Sequence, residues 1–119
     1  MKLILSTHNV KHTEAVEEHV RERISKLEHL DHKAIEARVT LEREETHGPN
    51  EREYKAGMRI AVSGPDYFAE DWEDDLFKAI DLATKKIEQQ IRKRHSKEKA
   101  KSHSEAAREK EKRQQESAS

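Results

Sequence analysis

The chain has no cysteine, two prolines, three glycines, five aromatic residues and no long apolar run in its 119 residues. The missing thiols exclude disulfides, thiolate metal sites and cysteine nucleophiles, and with them any need for an oxidising compartment. The opening Met1-Lys2-Leu3-Ile4-Leu5 is too short an apolar stretch for a signal peptide, and no segment is long enough to cross a bilayer. A cytoplasmic protein without membrane contact is the expectation. No Gly-rich phosphate loop, nucleophile elbow or repeated metal-ligand spacing is present, so the sequence predicts neither an enzyme nor a cofactor or small-molecule substrate.

What the chain does have is charge: 41% of its residues are Asp, Glu, Lys or Arg, against 32% hydrophobic. The core must be small, and its apolar residues end near Ile91. One domain over 1–97, followed by a disordered or partly helical charged tail over 98–119, is the expected organisation. The net charge of −1 conceals an uneven distribution. Asp66, Glu70, Asp71, Glu73, Asp74 and Asp75 form an acidic run without a base. Lys78, Lys85, Lys86, Arg92, Lys93, Arg94 and Lys97 then face only Asp81 and Glu88. A nearly neutral chain with one basic helix suits binding RNA at one place.

The pattern of elements follows from hydrophobic spacing. Lys2 to Ser6 reads as a first strand. Thr13 is a candidate N-cap for a helix over Glu14 to Leu30, whose apolar face is Val16, Val20, Ile24, Leu27 and Leu30. Ile35, Ala37, Val39 and Leu41 alternate with polar residues and predict a strand with one dry face. Glu44 to Asn50 is expected as a loop. A third strand places Tyr54, Ala56, Met58, Ile60 and Val62 on one side. Ser63-Gly64-Pro65-Asp66 is a turn, and Tyr67-Phe68-Ala69 opens a fourth strand. The last helix starts near Asp74 with a core line of Leu76, Ile80, Ala83, Ile87 and Ile91. Arg94 returns to that line, which marks the helix leaving the core. The expected fold is α+β, β-α-β-β-β-α, with a four-stranded sheet, two helices on one face and the other face wet, in the manner of a double-stranded-RNA-binding domain.

Lys78, Lys85 and Arg92 recur every seven residues on the side of the last helix opposite the core, flanked by Lys86 and Lys93. A solvated helix face with local ion pairs is the ordinary explanation for such a row. Here the bases outnumber their local acids, which puts a phosphate-tracking surface on an equal footing with that explanation. Arg23 and Lys26 on the first helix extend it if the helices lie side by side, although Arg23 also fits simple snorkelling. The eight histidines do not assemble a metal site by spacing. The acidic run is read as compensation for the helix dipole rather than as a Mg²⁺ site. Trp72 is expected to pack over the helix start, with stacking on a base as the alternative.

Two blocks resemble a known family. Thr13-Glu14-Ala15-Val16, His19-Val20, Arg23-Ile24 and Lys26-Leu27-Glu28 form the first. Ala69-Glu70, Asp75-Leu76-Phe77-Lys78-Ala79-Ile80-Asp81, Lys86-Ile87-Glu88 and Gln90-Ile91 form the second. Together they are similar to the bacterial ribosome hibernation-promoting factors and ribosome-associated translation inhibitors, over about Lys2 to Lys97. The resemblance implies binding to the small ribosomal subunit and its rRNA between head and body, where mRNA and tRNA would sit. Translation would be inhibited by occupancy during stress, by a protein that is monomeric off the ribosome. Arg23, Lys26, Lys86 and Lys93 match the family's basic positions, while Lys85, Arg92 and Gln89 depart from its usual residues. Together with Lys78 and Arg94, these cations are the expected RNA-binding set. The absence of an apolar second domain before Ser119 resembles the family's short form, although the tail, with six bases and five acids after Lys97, fits neither short subtype cleanly. A double-stranded-RNA-binding domain of broad specificity and a protein-interaction module are the alternatives.

Overall fold

A computed structural model of the protein describes residues 1–45 and 52–117, with side chains as far as residue 100. Its elements run β1 (Lys2–His8), α1 (Glu14–Leu30), β2 (Glu36–Arg43), β3 (Tyr54–Ala61), β4 (Tyr67–Glu73) and α2 (Leu76–Ser117). The expected order is present, and most of the loop expected over Glu44 to Asn50 lies outside the described residues. The sheet order equals the chain order, β1-β2-β3-β4. β1 pairs with β2 in parallel across the α1 crossover, and the remaining pairs are antiparallel.

Each element has a local cause. Thr13 accepts a hydrogen bond from the Val16 N–H at 3.2 Å, capping α1 as its sequence predicts. Asn9 takes a left-handed conformation (φ 57°) in the loop before it, which a short polar side chain tolerates. Gly64 (φ 104°) makes the β3–β4 turn, where a side chain would be strained. Asp75 starts α2: its carboxylate accepts from the Lys78 N–H at 3.1 Å and its carbonyl from the Ala79 N–H at 3.0 Å.

Both helices cover one face of the sheet. Val16, Val20, Ile24 and Leu27 of α1 meet Ile80, Ala83, Ile87 and Ile91 of α2 over Val39, Leu41, Ala56, Met58 and Ile60. Truncating a side chain such as Ile87 to alanine would cost about 2–5 kcal/mol by transfer and cavity formation. Thr84 is buried on the same face without penalty, because its hydroxyl donates back to the Ile80 carbonyl at 2.7 Å. Beneath the exit of α2, the buried Asp31 accepts from the Tyr67 hydroxyl at 3.3 Å and from the Lys33 N–H at 3.0 Å.

Three expectations are corrected. Ile35 is 63% exposed, because it precedes β2 and only Ala37, Val39 and Leu41 reach the core. Trp72 does not cover the start of α2. Its strand parity turns it to the open sheet face, where the Lys55 ammonium lies 5.7 Å from its ring. The acidic run is not mainly a helix cap either, because Glu70, Asp71 and Glu73 belong to β4. They neutralise cations there. α2 passes through Lys97 without a break and continues to Ser117.

Candidate nucleic-acid interface

The two helices run parallel, as their side-chain contacts require: His19 and Arg23 of α1 meet Asp81 of α2, and Lys26 meets Glu88 one heptad further on. At about 100° per residue, α2 then sorts its charges into three outer strips. Asp81 and Glu88 border α1. Lys78, Lys85 and Arg92 point away from the sheet. Lys86 and Lys93 border β4.

The α1 border is a seam of shared carboxylates. The Asp81 Oδ1 atom receives the Arg23 Nε–H at 2.7 Å and the His19 Nε2–H at 2.7 Å. Burial alone would raise the Asp81 carboxyl, but the hydrogen bonds from Arg23 and His19 outweigh it and hold it below the usual carboxylate range. The Arg23 guanidinium is held above its usual value mainly by the bond to Asp81. Glu88 uses one oxygen for Arg92 at 2.8 Å and the other for Lys26 at 3.5 Å. The Arg92 hydrogen bond holds its carboxyl low against a smaller effect of burial, with help from Lys26.

The β4 border is built differently. Lys86 Nζ donates to the Glu70 carbonyl at 3.2 Å and lies 3.2 Å from the Asp71 carboxylate. One turn later, the Gln90 side chain closes a two-bond ring with the backbone of Phe68. It accepts from the Phe68 N–H at 3.2 Å and donates to the Phe68 carbonyl at 2.7 Å. β4 is an edge strand, so these side chains occupy groups that a further strand would otherwise take.

The eight cations expected from the sequence therefore divide. Arg23, Lys26, Lys78, Lys86 and Arg92 each have a carboxylate partner, Lys78 at 3.7 Å from both Glu73 and Asp74. This corrects the view that the bases outnumber local partners, because β4 supplies acids that linear sequence places before the helix. Lys85 and Lys93 are exposed and make no ion pair among the described residues. Arg94 stands apart from the outer strips. It lies on the core side of α2, half-buried, with its guanidinium carbon 4.0 Å from the centre of the Tyr67 ring. The core line of α2 brings it there, as a lid on the end of the hydrophobic core.

Sequence reasoning did not find the His19–Asp81–Arg23 cluster, the Tyr67–Asp31 hydrogen bond or the Gln90 clamp. Positions 19 and 23, and 81 and 88, share helix faces by spacing. Pairing them needs the relative placement of the two helices, which spacing does not contain. On the opposite face of the sheet, Arg59 lies 4.9 Å from the ring centre of the exposed Phe68. Lys55 and Arg59 pair there with Glu70 and Asp66. Among the described residues, no group of His, Asp and Glu side chains is arranged to hold a metal ion, and no helix is long and apolar enough to cross a membrane.

A four-stranded α+β domain with two parallel helices on one sheet face and a cationic helical exterior defines the class: a β-α-β-β-β-α module. Residues 3–99 match the family model described as Sigma 54 modulation protein / S30EA ribosomal protein, and the chain belongs to that family. It is 36% identical over 89 residues to a ribosome hibernation promotion factor of Deinococcus radiodurans, covering 75% of this chain and 46% of that protein. A ribosome hibernation promotion factor of Bacillus subtilis is 34% identical over the same length and with the same coverage. The chain thus spans about half the length of these curated relatives.

Two solved structures share the fold. The N-terminal domain of Thermus thermophilus Protein Y superposes with a TM-score of 0.65 at 22% identity, covering 78% of this chain and 98% of that one. A ribosomal subunit interface protein from Coxiella burnetii gives 0.68 at 17% identity, covering 81% and 99%.

Proposed function

We propose that the protein binds the small ribosomal subunit through rRNA phosphates and keeps ribosomes inactive by occupying the mRNA and tRNA channel. The observation that carries this reading is the cationic exterior of α2, continued by Arg23 and Lys26 of α1, on a chain of this family. Lys85 and Lys93, which have no ion pair among the described residues, supply charge at its centre and on its β4 border. The paired cations add contacts wherever a phosphate outcompetes a carboxylate. Occupancy alone suffices for inhibition, so no bond needs to form or break, and no catalytic residue is assigned. The site of action places the protein in the cytoplasm. Residues 1–97 are proposed as the binding unit, with 98–119 an appended charged segment.

Sedimentation with purified small subunits, beside an equal mass of generic RNA duplex, tests this. The protein is expected to pellet with subunits at near-physiological salt and to bind duplex more weakly. It should leave both steeply as salt rises, because counterions displaced from the RNA return. Added to a translation extract, it should lower synthesis in proportion to its occupancy. A protein that stays at the top of the gradient with excess subunits overturns the proposal.

A further inference from the structure

Arg23 and Arg92 are held in opposite ways. Arginine carries five N–H donors in a rigid plane, one on Nε and four on the two terminal nitrogens. Asp81 takes Arg23 by Nε alone, at 2.7 Å. The terminal nitrogens of Arg23 make no hydrogen bond among the described residues, and Nη1 lies 3.8 Å from the exposed Glu22. Glu88, by contrast, takes Arg92 by a terminal nitrogen, Nη2, at 2.8 Å, and takes the Lys26 ammonium as well. One carboxylate holds a guanidinium and leaves its fork free. The other uses the end that would recognise an anion.

The Asp81 site is further braced. His19 donates to the same carboxylate oxygen and sets its ring edge-on against Phe77, with centroids 4.9 Å apart. Arg23 is only 31% exposed at its side chain, so its stem is packed and its rotamers are few. A guanidinium fixed in this manner gives up little conformational entropy when an oxyanion arrives, and its terminal pair fits two oxygens of one phosphate.

We infer that Asp81 is a positioning residue for anion binding, which holds Arg23 by Nε so that its terminal fork is presented to a phosphate of the RNA. This rests on the proposed rRNA-binding role of the surface and names how one of its contacts is prepared. The inference reverses the simple electrostatic expectation. Removing any acid from a phosphate-binding surface should tighten binding by reducing repulsion. Here the removal of Asp81 charge weakens binding, while the removal of Glu88 charge frees Arg92 and Lys26 and leaves binding equal or tighter.

The test is the affinity of the full chain for purified small subunits, measured for the wild type, Asp81→Asn, Glu88→Gln, Arg23→Lys and the Asp81→Asn/Arg23→Lys pair. Asp81→Asn leaves only a neutral amide oxygen to hold the Arg23 Nε–H, so the hold loses its charge assistance and binding is expected to weaken about tenfold. Arg23→Lys keeps the charge and an ion pair but lacks the planar fork, so it should lose a similar factor without unfolding the helices. The paired variant should bind no more weakly than either single one, because both remove the same contact. A purely structural role for Asp81 would lower the melting temperature without this coupling in binding. Wild-type affinity in Asp81→Asn or in Arg23→Lys, or tightening in Asp81→Asn as in Glu88→Gln, overturns the inference alone. If the wild type does not bind small subunits, the proposed function falls and takes the inference with it.

Discussion

Reversing Lys86 and Lys93 to glutamate separates two effects that the structure assigns unequally. Lys93 is exposed without an ion pair among the described residues, so Lys93→Glu should change stability by no more than about 0.5 kcal/mol. Lys86 reaches Asp71, whose side chain is 15% exposed, and the Glu70 carbonyl on the edge of β4. A glutamate at 86 loses both contacts and faces Asp71 with a like charge. Because Lys86 itself is half-exposed, solvent screening limits the cost to about 1 kcal/mol. That corresponds to a fall of about 4–8 °C in melting temperature for a domain of this size. For binding, Lys93 should count fully and Lys86 less, because a phosphate there replaces the Asp71 pair. Each lost phosphate contact should reduce the salt slope by roughly 0.7–0.9, and each new carboxylate repels the RNA. Circular dichroism melts and sedimentation with small subunits over graded salt measure the two quantities on the same samples. Glu18→Lys is the suitable control, since the neighbouring Glu17 is engaged by Arg21 at 2.8 Å and by His12 at 3.4 Å. If the double reversal remains folded and still pellets with subunits, the RNA surface lies elsewhere, and the sheet face around Arg38, Lys55 and Arg59 is the next to test.

Other outcomes follow from contacts already described. Tyr67→Phe leaves the buried Asp31 without its hydroxyl partner and should cost about 1–3 kcal/mol in urea denaturation; an unchanged midpoint would show that the bond contributes nothing. The depressed Asp81 carboxyl contributes stability above its unfolded pKa that is lost as pH falls through the lower folded value. The stability gap between wild type and Asp81→Asn should therefore persist near neutrality and close as the solution is taken below about pH 4, and a gap independent of pH would contradict the ion-pair account. Gln90→Ala frees the N–H and carbonyl of Phe68 on the β4 edge and should promote self-association in sedimentation velocity. Truncation after Lys97 should leave the melting temperature unchanged, and a drop of several degrees would show that the segment docks.

The parts legible in the sequence are those governed by a single period. Val16, Val20, Ile24 and Leu27 announce α1 because one stripe of a helix must be apolar to be buried, and Thr13 announces its start because a side-chain oxygen satisfies an orphan N–H. The same reasoning found the core line of α2 and the inward faces of β2 and β3. It failed at Ile35, which shares the inward parity of Ala37 but lies before the strand begins, and at Trp72, which β4 carries outward because its pairing runs on to Glu73. The cationic side chains were found, but their state was not. Asp71 and Lys86 are fifteen residues apart in the chain and 3.2 Å apart in space, a relation that only the α2–β4 packing creates. Arg94 was recognised as the end of the core line, yet its seat on Tyr67 required knowing which strand passes beneath it.

The internal pairing of the helical cations also bears on selectivity among polyanions. Lys26, Lys78, Lys86 and Arg92 are already engaged, so their share of the long-range attraction for an RNA is reduced and Lys85 and Lys93 carry most of what remains. Exchanging a carboxylate for a phosphate at any one of these positions yields little, because one ion pair replaces another. The exchange becomes favourable only when several phosphates arrive together on a rigid frame whose spacing suits the helix faces, so that one loss of rotational freedom serves many contacts. A flexible single strand would have to bear that ordering cost contact by contact, and a duplex would gain only where its fixed phosphate spacing suits the helix faces. On the proposed reading, an exterior whose cations are mostly paired would discriminate by the rigidity and phosphate spacing of its ligand as well as by the ligand's charge.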